Sequence, residues 1–425
     1  MNRGRLTLCT AIALSSAACR PDPVIGMIPG DDALWDITAL PVFRLTMPSD
    51  WETLLWDNIS VDDLCADRPY TVADLEFENP ETGETEAWPS VGVRHRGYTA
   101  LQVGQSDGER VGFKLSFNEF ESGRRFHDLK KINLLGTEGD ASLLREHLAY
   151  TVSAAADLAA PRSAYALLYI NDELQGVFPN SQEADDSAFL DMHFDEPDGN
   201  LYKVSGYCGT IPGDLRYQGS DPDDYIATYE PKAGTDDAAP ADDLIPLLAC
   251  TDEPDDDTFR ACIEQWIDVD WWLRAIAVDF ALPDIDGMAG RSHNFLLYMD
   301  PARDRFVVYP WDRDQSFQIV NLYEGDASIV SFATTGVPVE KPVLVDRLQA
   351  AYPAEYCSAV AAVAAVLDPA AFQDQAESLG IFLWDPIDAD PGMDLDVWKA
   401  AVQDVIDSVA ERQPRVAAAA AACAG

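Results

Sequence analysis

Two short acidic segments, set one hairpin apart, carry the residues best suited to chemistry in this 425-residue chain. The first is Pro283-Asp284-Ile285-Asp286-Gly287, followed by Asn294; the second is Pro310-Trp311-Asp312-Arg313-Asp314. Between them, residues 295–299 and 305–309 read as strands joined by a turn over 300–304. Antiparallel pairing brings the outer ends of such a hairpin together, so carboxylates and an amide meet in one place. These are hard oxygen donors that can hold Mg²⁺ against phosphates, while one carboxylate orients or deprotonates an attacking hydroxyl. The chemistry open to this set is phosphoryl transfer. The same acids can equally serve as turn caps around a structural hairpin, and the pattern alone does not choose between the two. Trp311 reads as core rather than as a stacking surface for adenine.

Work on a polyphosphate also needs cations. The chain holds 29 Lys+Arg against 74 Asp+Glu, a net charge of −45. A field of that sign repels phosphate backbones and anionic headgroups, which excludes general nucleic-acid binding and docking on acidic membranes. Positive charge must therefore be concentrated locally, and residues 94–131 do so with eight basic residues against five acidic ones. Arg96-Gly97 ends a strand, and Lys114 lies in the alternating Phe113-Lys114-Leu115-Ser116-Phe117, on the face opposite the two phenylalanines. Arg96 and Lys114 are thus candidates for phosphate contact; a solvated face balancing nearby acids is the competing reading.

These residues need a scaffold, and the composition can build one. Hydrophobic residues make up 47% of the chain and aromatics 10%, which rules out global disorder. The length allows one large domain or about two to three small ones. The alternation at 42–47 predicts a strand. Asp140-Ala141-Ser142 opens a helix running to about residue 157, and 166–170 and 174–178 flank an Asn171-Asp172 turn as a hairpin. The Asp/Pro/Gly-rich stretch 206–257 reads as a solvated insertion, with no complete calcium-loop spacing. From Tyr352 onward the pattern is helical. No phosphate-loop, dinucleotide, nucleophile-elbow or zincin motif is present.

The N-terminus reads as an export signal over residues 1–18: Arg3 and Arg5, an apolar run, then Ser15-Ser16-Ala17-Ala18 before Cys19. Cys19 is placed as in a lipoprotein cleavage site and is a possible lipid anchor, with plain secretion as the alternative. A tether over 19–36 follows. Beyond the signal no apolar run approaches the roughly 18 residues of a membrane span. Cys65, Cys208, Cys250, Cys262, Cys357 and Cys423 suit disulfides, Cys250 and Cys262 being near enough to close a short loop.

The order of acid, Asn, hairpin and acid is similar to that of protein kinases, although the eight positions from Asp286 to Asn294 exceed the usual kinase spacing. A longer ordered set of stretches resembles one family, the spore coat protein H (CotH) kinases. The set comprises Val93-Arg94-His95-Arg96-Gly97, Lys114-Leu115-Ser116-Phe117, residues 126–135, 140–150 and 160–178, and Glu183 with Phe189-Leu190. It continues with Gly199-Asn200-Leu201-Tyr202-Lys203, Asp286-Gly287, His293-Asn294-Phe295-Leu296-Leu297-Tyr298 and residues 310–317. Arg412 matches the family's closing helix more weakly, and Tyr98-Thr99-Ala100 departs from the family pattern after Arg96-Gly97.

The resemblance implies an α/β (α+β) divergent protein-kinase-like fold over residues 37–345, with a helical C-terminal portion over 346–425. It implies ATP with Mg²⁺ or Mn²⁺, and phosphorylation of Ser or Thr on an exported or envelope protein substrate. By position Asp286 would be the catalytic acid, and Asp312, with Asn294 and Asp314, the metal ligands. Arg96, Lys114 and Lys203 would neutralise phosphates. Glu146 has the position of the kinase helix glutamate that would pair with Lys114, but a surface ion pair is the favoured reading. The alternatives in other classes are a non-catalytic adhesin or coat-like protein on the same fold, and an acidic calcium-binding envelope protein.

Overall fold

The computed structural model describes residues 33–423 apart from 61–62, 99, 103–109, 205–212, 235–239, 285 and 318–341. The expected signal, Cys19 and Cys208 lie outside the described residues. The architecture is a mixed α/β one, with an N-terminal barrel and a largely helical C-terminal segment.

The barrel strands are β1 (Val42–Thr46), β2 (Thr71–Glu78), β3 (Thr85–His95), β4 (Phe113–Ser116), β5 (Lys131–Leu134), β6 (Ser163–Ile170) and β7 (Glu173–Gln182). They close in the order β1-β2-β3-β4-β5-β7-β6, and the β1–β6 pair that shuts the ring is parallel. Alternation drives closure: Ala73, Leu75 and Phe77 of β2 point into a core of Phe43, Phe117 and Phe126. Phe117 and Phe126 stack with centroids 4.5 Å apart. The β6–β7 hairpin turns at Asn171 and Asp172, whose φ values of 51° and 67° suit a two-residue turn and are tolerated by these side chains.

Helix α1 (Trp51–Asp57) follows β1, and α2 (Arg145–Ala155) precedes β6. Helix α2 starts later than the sequence suggests because Leu143 takes a left-handed φ of 61°. Asp140 still serves the turn, its Oδ2 accepting from the Arg145 backbone N–H at 2.8 Å. The ordered body also begins earlier than expected. Leu34 and Trp35 are buried, with the Leu34 carbonyl accepting from Asn180 Nδ2 at 3.0 Å and Arg162 stacked on Trp35 at 4.7 Å.

A second sheet has the order β11-β10-β8-β9, formed by β8 (Leu201–Val204), β9 (Tyr229–Pro231), β10 (Phe295–Asp300) and β11 (Arg305–Pro310). Around it lie α3 (Ser187–His193), α4 (Leu244–Ala249), α5 (Asp256–Ile263), the buried α6 (Val269–Ala281) and the short α7 (Met288–Arg291). The Asp-rich stretch 206–257 is therefore not wholly solvated. Tyr225, Tyr229, Leu244, Leu247 and Leu248 anchor its described residues in the core, and β9 extends the sheet.

Helices α8 (Val343–Ala351), α9 (Pro353–Val366), α10 (Pro369–Asp388) and α11 (Leu395–Cys423) complete the chain. Proline at the first turn of α9 and α10, where no backbone donor is needed, marks both starts. Disulfides join Cys250 to Cys262 and Cys357 to Cys423, and Cys65 is disulfide-bonded as well. Among the described residues no single helix is long and apolar enough to cross a membrane.

Candidate active site

The β10–β11 hairpin brings its two ends together. Phe295 pairs with Pro310, so Asn294 meets Trp311 and Asp312 just beyond the ladder. The Trp311 N–H donates to the Asn294 carbonyl at 3.2 Å, and Asn294 Nδ2 returns a bond to the Asp312 carbonyl at 3.2 Å. Both residues are left-handed, with φ of 53° and 52°, which re-aims their side chains away from the strand direction. The Asp312 N–H donates to the Tyr150 hydroxyl of α2 at 3.1 Å.

Arg313 turns the opposite way and is 1% exposed. Its guanidinium lies 2.7 Å from Asp279 Oδ1 of α6 and 2.9 Å from Asp284 Oδ2. Asp284 also accepts from Ser316 Oγ at 3.0 Å and from the Asp286 N–H at 2.9 Å. One buried cation thus locks the two acidic loops in a fixed relation. Asp286 itself is held by Arg291 of α7, Nη1 to Oδ1 at 2.8 Å.

The cations come from the barrel and from β8. Arg96 reaches Asp312, Nη2 to Oδ1 at 3.3 Å, and its guanidinium lies 5.3 Å from the Trp311 ring. Behind it Gly112 and Gly136 let two backbones touch: a Cβ on Gly136 would sit 2.2 Å from the Arg110 carbonyl, and one on Gly112 2.6 Å from that of Leu134. Lys114 is buried and ion-paired with Glu183, just past β7, and not with Glu146. Lys203 pairs with Asp185 at 3.1 Å and lies 3.5 Å from the centre of the Trp311 ring. Trp311 is half-buried: it packs against the core, as the sequence reading expects, and also lies between two cations on the wall of the cleft.

The cleft has two compartments that share Arg96, Gly97, Tyr98, His293, Asn294 and Asp312. The acidic one, about 240 Å³, is also lined by Asp286, Asp314, Glu138, Asp140 and Glu146. The basic one, about 380 Å³, is also lined by Arg68, Arg94, Lys114, Lys203 and Lys232. All seven residues singled out in the sequence line one compartment or the other.

Charge crowding is strong in the acidic half. Burial, then Asp312 and Glu146, pushes the Asp314 carboxyl well above the usual range. Burial and Asp312 raise Glu146 to about 7, against Arg96 and Tyr150. Desolvation also raises Asp286, partly offset by Arg291. In the basic half burial lowers Lys114 to about 8, despite Glu183 and Asp185. Burial opposes the Asp185 charge, yet Lys203, Lys114 and Lys232 hold its carboxyl well below the ordinary range. Among the described residues no group of three or more His, Cys, Asp or Glu is disposed to hold a metal by itself, in the Asp-rich stretch or elsewhere.

Sequence reasoning missed Arg313, Arg291, Asp185 and Arg68. Only Arg313 left a signal there, a single cation between two acids in a motif already under scrutiny.

Such a cleft, between a small β lobe and a larger lobe, sets acids on a hairpin against cations from the barrel and β8. The model of the CotH kinase protein family matches residues 93–413, most of the chain, and the protein belongs to that family. The match includes the cleft residues from Arg94 to Asp314 and the buried Arg412, whose Nε donates to the Phe280 carbonyl at 3.0 Å. No curated protein matches the chain.

Proposed function

We propose that this chain is an exported atypical protein kinase that transfers the γ-phosphate of ATP to Ser or Thr of envelope or secreted proteins. The observation that carries the reading is the meeting of Asp286, Asn294 and Asp312 in one cleft walled by Arg96, Lys114 and Lys203. A hairpin whose acids served only as turn caps would not need Arg96 set against Asp312.

The donors suit a hard divalent cation. Asp312, Asp314 and the Asn294 amide oxygen would hold it, and a cation would relieve the repulsion that raises Asp314. Two carboxylates and an amide are a donor set that fits Mg²⁺ or Mn²⁺, which kinase sites bind through one or two carboxylates together with phosphate oxygens. A cation held by these residues would supply charge neutralisation for the phosphates during transfer.

The chain's own residues do the rest. Asp286, fixed by Arg291 and raised by desolvation, orients the acceptor hydroxyl and takes its proton. The hydroxyl oxygen forms its bond to the γ-phosphorus as the bond to the β,γ-bridging oxygen breaks, and ADP leaves with that electron pair. Arg96, Lys114 and Lys203 stabilise the phosphate charge in a half-buried site, where charge-assisted hydrogen bonds are strongest.

Export is supported by the leader-like residues 1–18 and by the disulfides, which persist in oxidising compartments. Incubating the purified protein with labelled ATP and Mn²⁺ tests the activity. Wild type should label itself or an added acceptor protein, and Asp312→Ala should abolish labelling while keeping its folded circular-dichroism spectrum. Undiminished labelling by the variant would remove Asp312 from the mechanism, and a wild type inert towards ATP would end the kinase reading.

A further inference from the structure

Two arginines in the basic compartment have no role in the account above. Arg68 precedes β2 and Arg94 lies on β3. In a chain with 74 acidic residues neither makes an ion pair among the described residues. Each donates instead to a backbone carbonyl: Arg68 Nη1 to Gly97 at 3.0 Å, and Arg94 Nη1 to Arg68 at 2.9 Å. The Nε of each is buried with no hydrogen-bond partner. Arg94 is also the direct cross-strand partner of Lys114, and Arg96 follows it two residues on, just past the end of β3. Like charges facing each other across a ladder are destabilising, and of this pair Lys114 has a carboxylate partner in Glu183 while Arg94 has none among the described residues.

The arrangement of the compartments indicates which anion. Asp286 lines only the acidic compartment, while Asp312 and Asn294 stand where the two meet. In-line transfer places the attacking and leaving oxygens on opposite sides of the moving phosphorus. With the acceptor on the Asp286 side, the leaving group departs towards the compartment lined by Arg68, Arg94 and Lys114. We infer that Arg68 and Arg94 form a binding site for the leaving diphosphate of the nucleotide, so that ATP runs its polyphosphate into the basic compartment and the acceptor enters from the acidic one. This rests on the kinase reading. Arg68 also lies outside the residues that the family model matches, so this half of the site is supplied by the chain's own N-terminal segment.

The test is calorimetric titration of the full mature protein with ADP, inorganic tripolyphosphate and adenosine at fixed ionic strength. Wild type is compared with Arg68→Gln, Arg94→Gln and the double variant, and with Arg44→Gln as a control for loss of an exposed charge elsewhere on the barrel. The double variant should bind ADP and tripolyphosphate at least about tenfold more weakly, as expected when charge-assisted hydrogen bonds are lost, with adenosine unchanged. Arg68→Gln also removes the bond to Gly97. Arg94→Gln leaves that bond in place, and its selective loss of ADP keeps the test decisive if Arg68→Gln fails to fold. Wild-type affinity for ADP in Arg94→Gln and the double variant, or equal losses for ADP and adenosine, would overturn the inference. If wild type transfers no phosphate but the variants lose tripolyphosphate selectively, the anion site stands and only the kinase reading falls.

Discussion

Lys114 shows how much burial changes the meaning of a charged residue. A lysine on an alternating strand of an acidic protein is ordinarily a solvated counter-charge worth at most about 1 kcal/mol. Here it is 7% exposed and bound to a Glu183 that is 1% exposed, so neither charge can turn to water if the other is removed. Breaking such a pair from one side costs about 3–5 kcal/mol, whereas neutralising both partners costs far less. Lys114→Met should therefore lower the unfolding free energy measured by urea titration by an amount in that range, and Lys114→Met/Glu183→Gln should recover most of the loss. Nucleotide binding separates the two roles of the lysine. The double variant, though refolded, should still bind ATP much more weakly than wild type while adenosine is unaffected, because the triphosphate has lost a charge-assisted partner. A single variant within about 1 kcal/mol of wild type would show that the pair is not energetically buried.

At the scale of elements, what could be read along the chain and what could not divide by the range of the interaction. The β6–β7 hairpin, the β10–β11 hairpin and the C-terminal helices were legible, because local alternation, turn residues and helical spacing specify them. The acidic loops were legible for the same reason, since a hairpin joins them. The parallel β1–β6 closure, the choice of Glu183 over Glu146 as the partner of Lys114, and the arrival of Arg68 at the cleft were not legible. Each depends on a tertiary approach between segments that no local pattern encodes. Arg313 is intermediate, visible as a residue but silent about its direction. Its guanidinium joins α6, Asp284 and the loop after β11, so its loss should act on the whole arrangement. Arg313→Met leaves Asp279 and Asp284 buried without their cation and should cost about 3–5 kcal/mol. Transfer activity should fall further than the loss of folded protein explains, because Asp286 and Asp312 would no longer be held in register. Activity per folded molecule, with folding followed by near-ultraviolet circular dichroism, measures this. Full specific activity in the folded fraction would leave Arg313 as a stability residue only.

At the scale of the whole molecule, barrel and helices are clamped through polar contacts as well as a shared core. Asp390, between α10 and α11, accepts from Arg110 at 2.7 Å and from the Val177 N–H at 2.7 Å, and the Cys357–Cys423 disulfide holds the end of α11 against α9. Protonation acts on this body in two opposed ways. Burial lowers His95, His147, His193 and His293 to about 4, so each takes up a proton more readily in the unfolded chain. Burial raises Glu146 to about 7 and Asp186 and Asp284 to about 6, so each of these binds its proton more tightly when folded. As pH falls from about 7 to 4 these histidines destabilise the fold and these three acids stabilise it, so the wild-type curve mixes opposed contributions. Comparing His147→Gln with wild type isolates one contribution. His147 is buried against Ser163, its Nδ1 lying 2.9 Å from the hydroxyl and 3.0 Å from the carbonyl, and no carboxylate is among the causes of its shift. Its stabilising effect is complete above the unfolded value near 6.5 and is lost as pH falls towards the folded value of about 4. At about 1.4 kcal/mol per pKa unit, the stability gap between wild type and His147→Gln should narrow by about 2–3 kcal/mol between pH 7 and pH 4.5. Urea unfolding of both proteins at the two pH values measures it, and a gap that stays constant would mean that His147 already titrates normally in the folded protein.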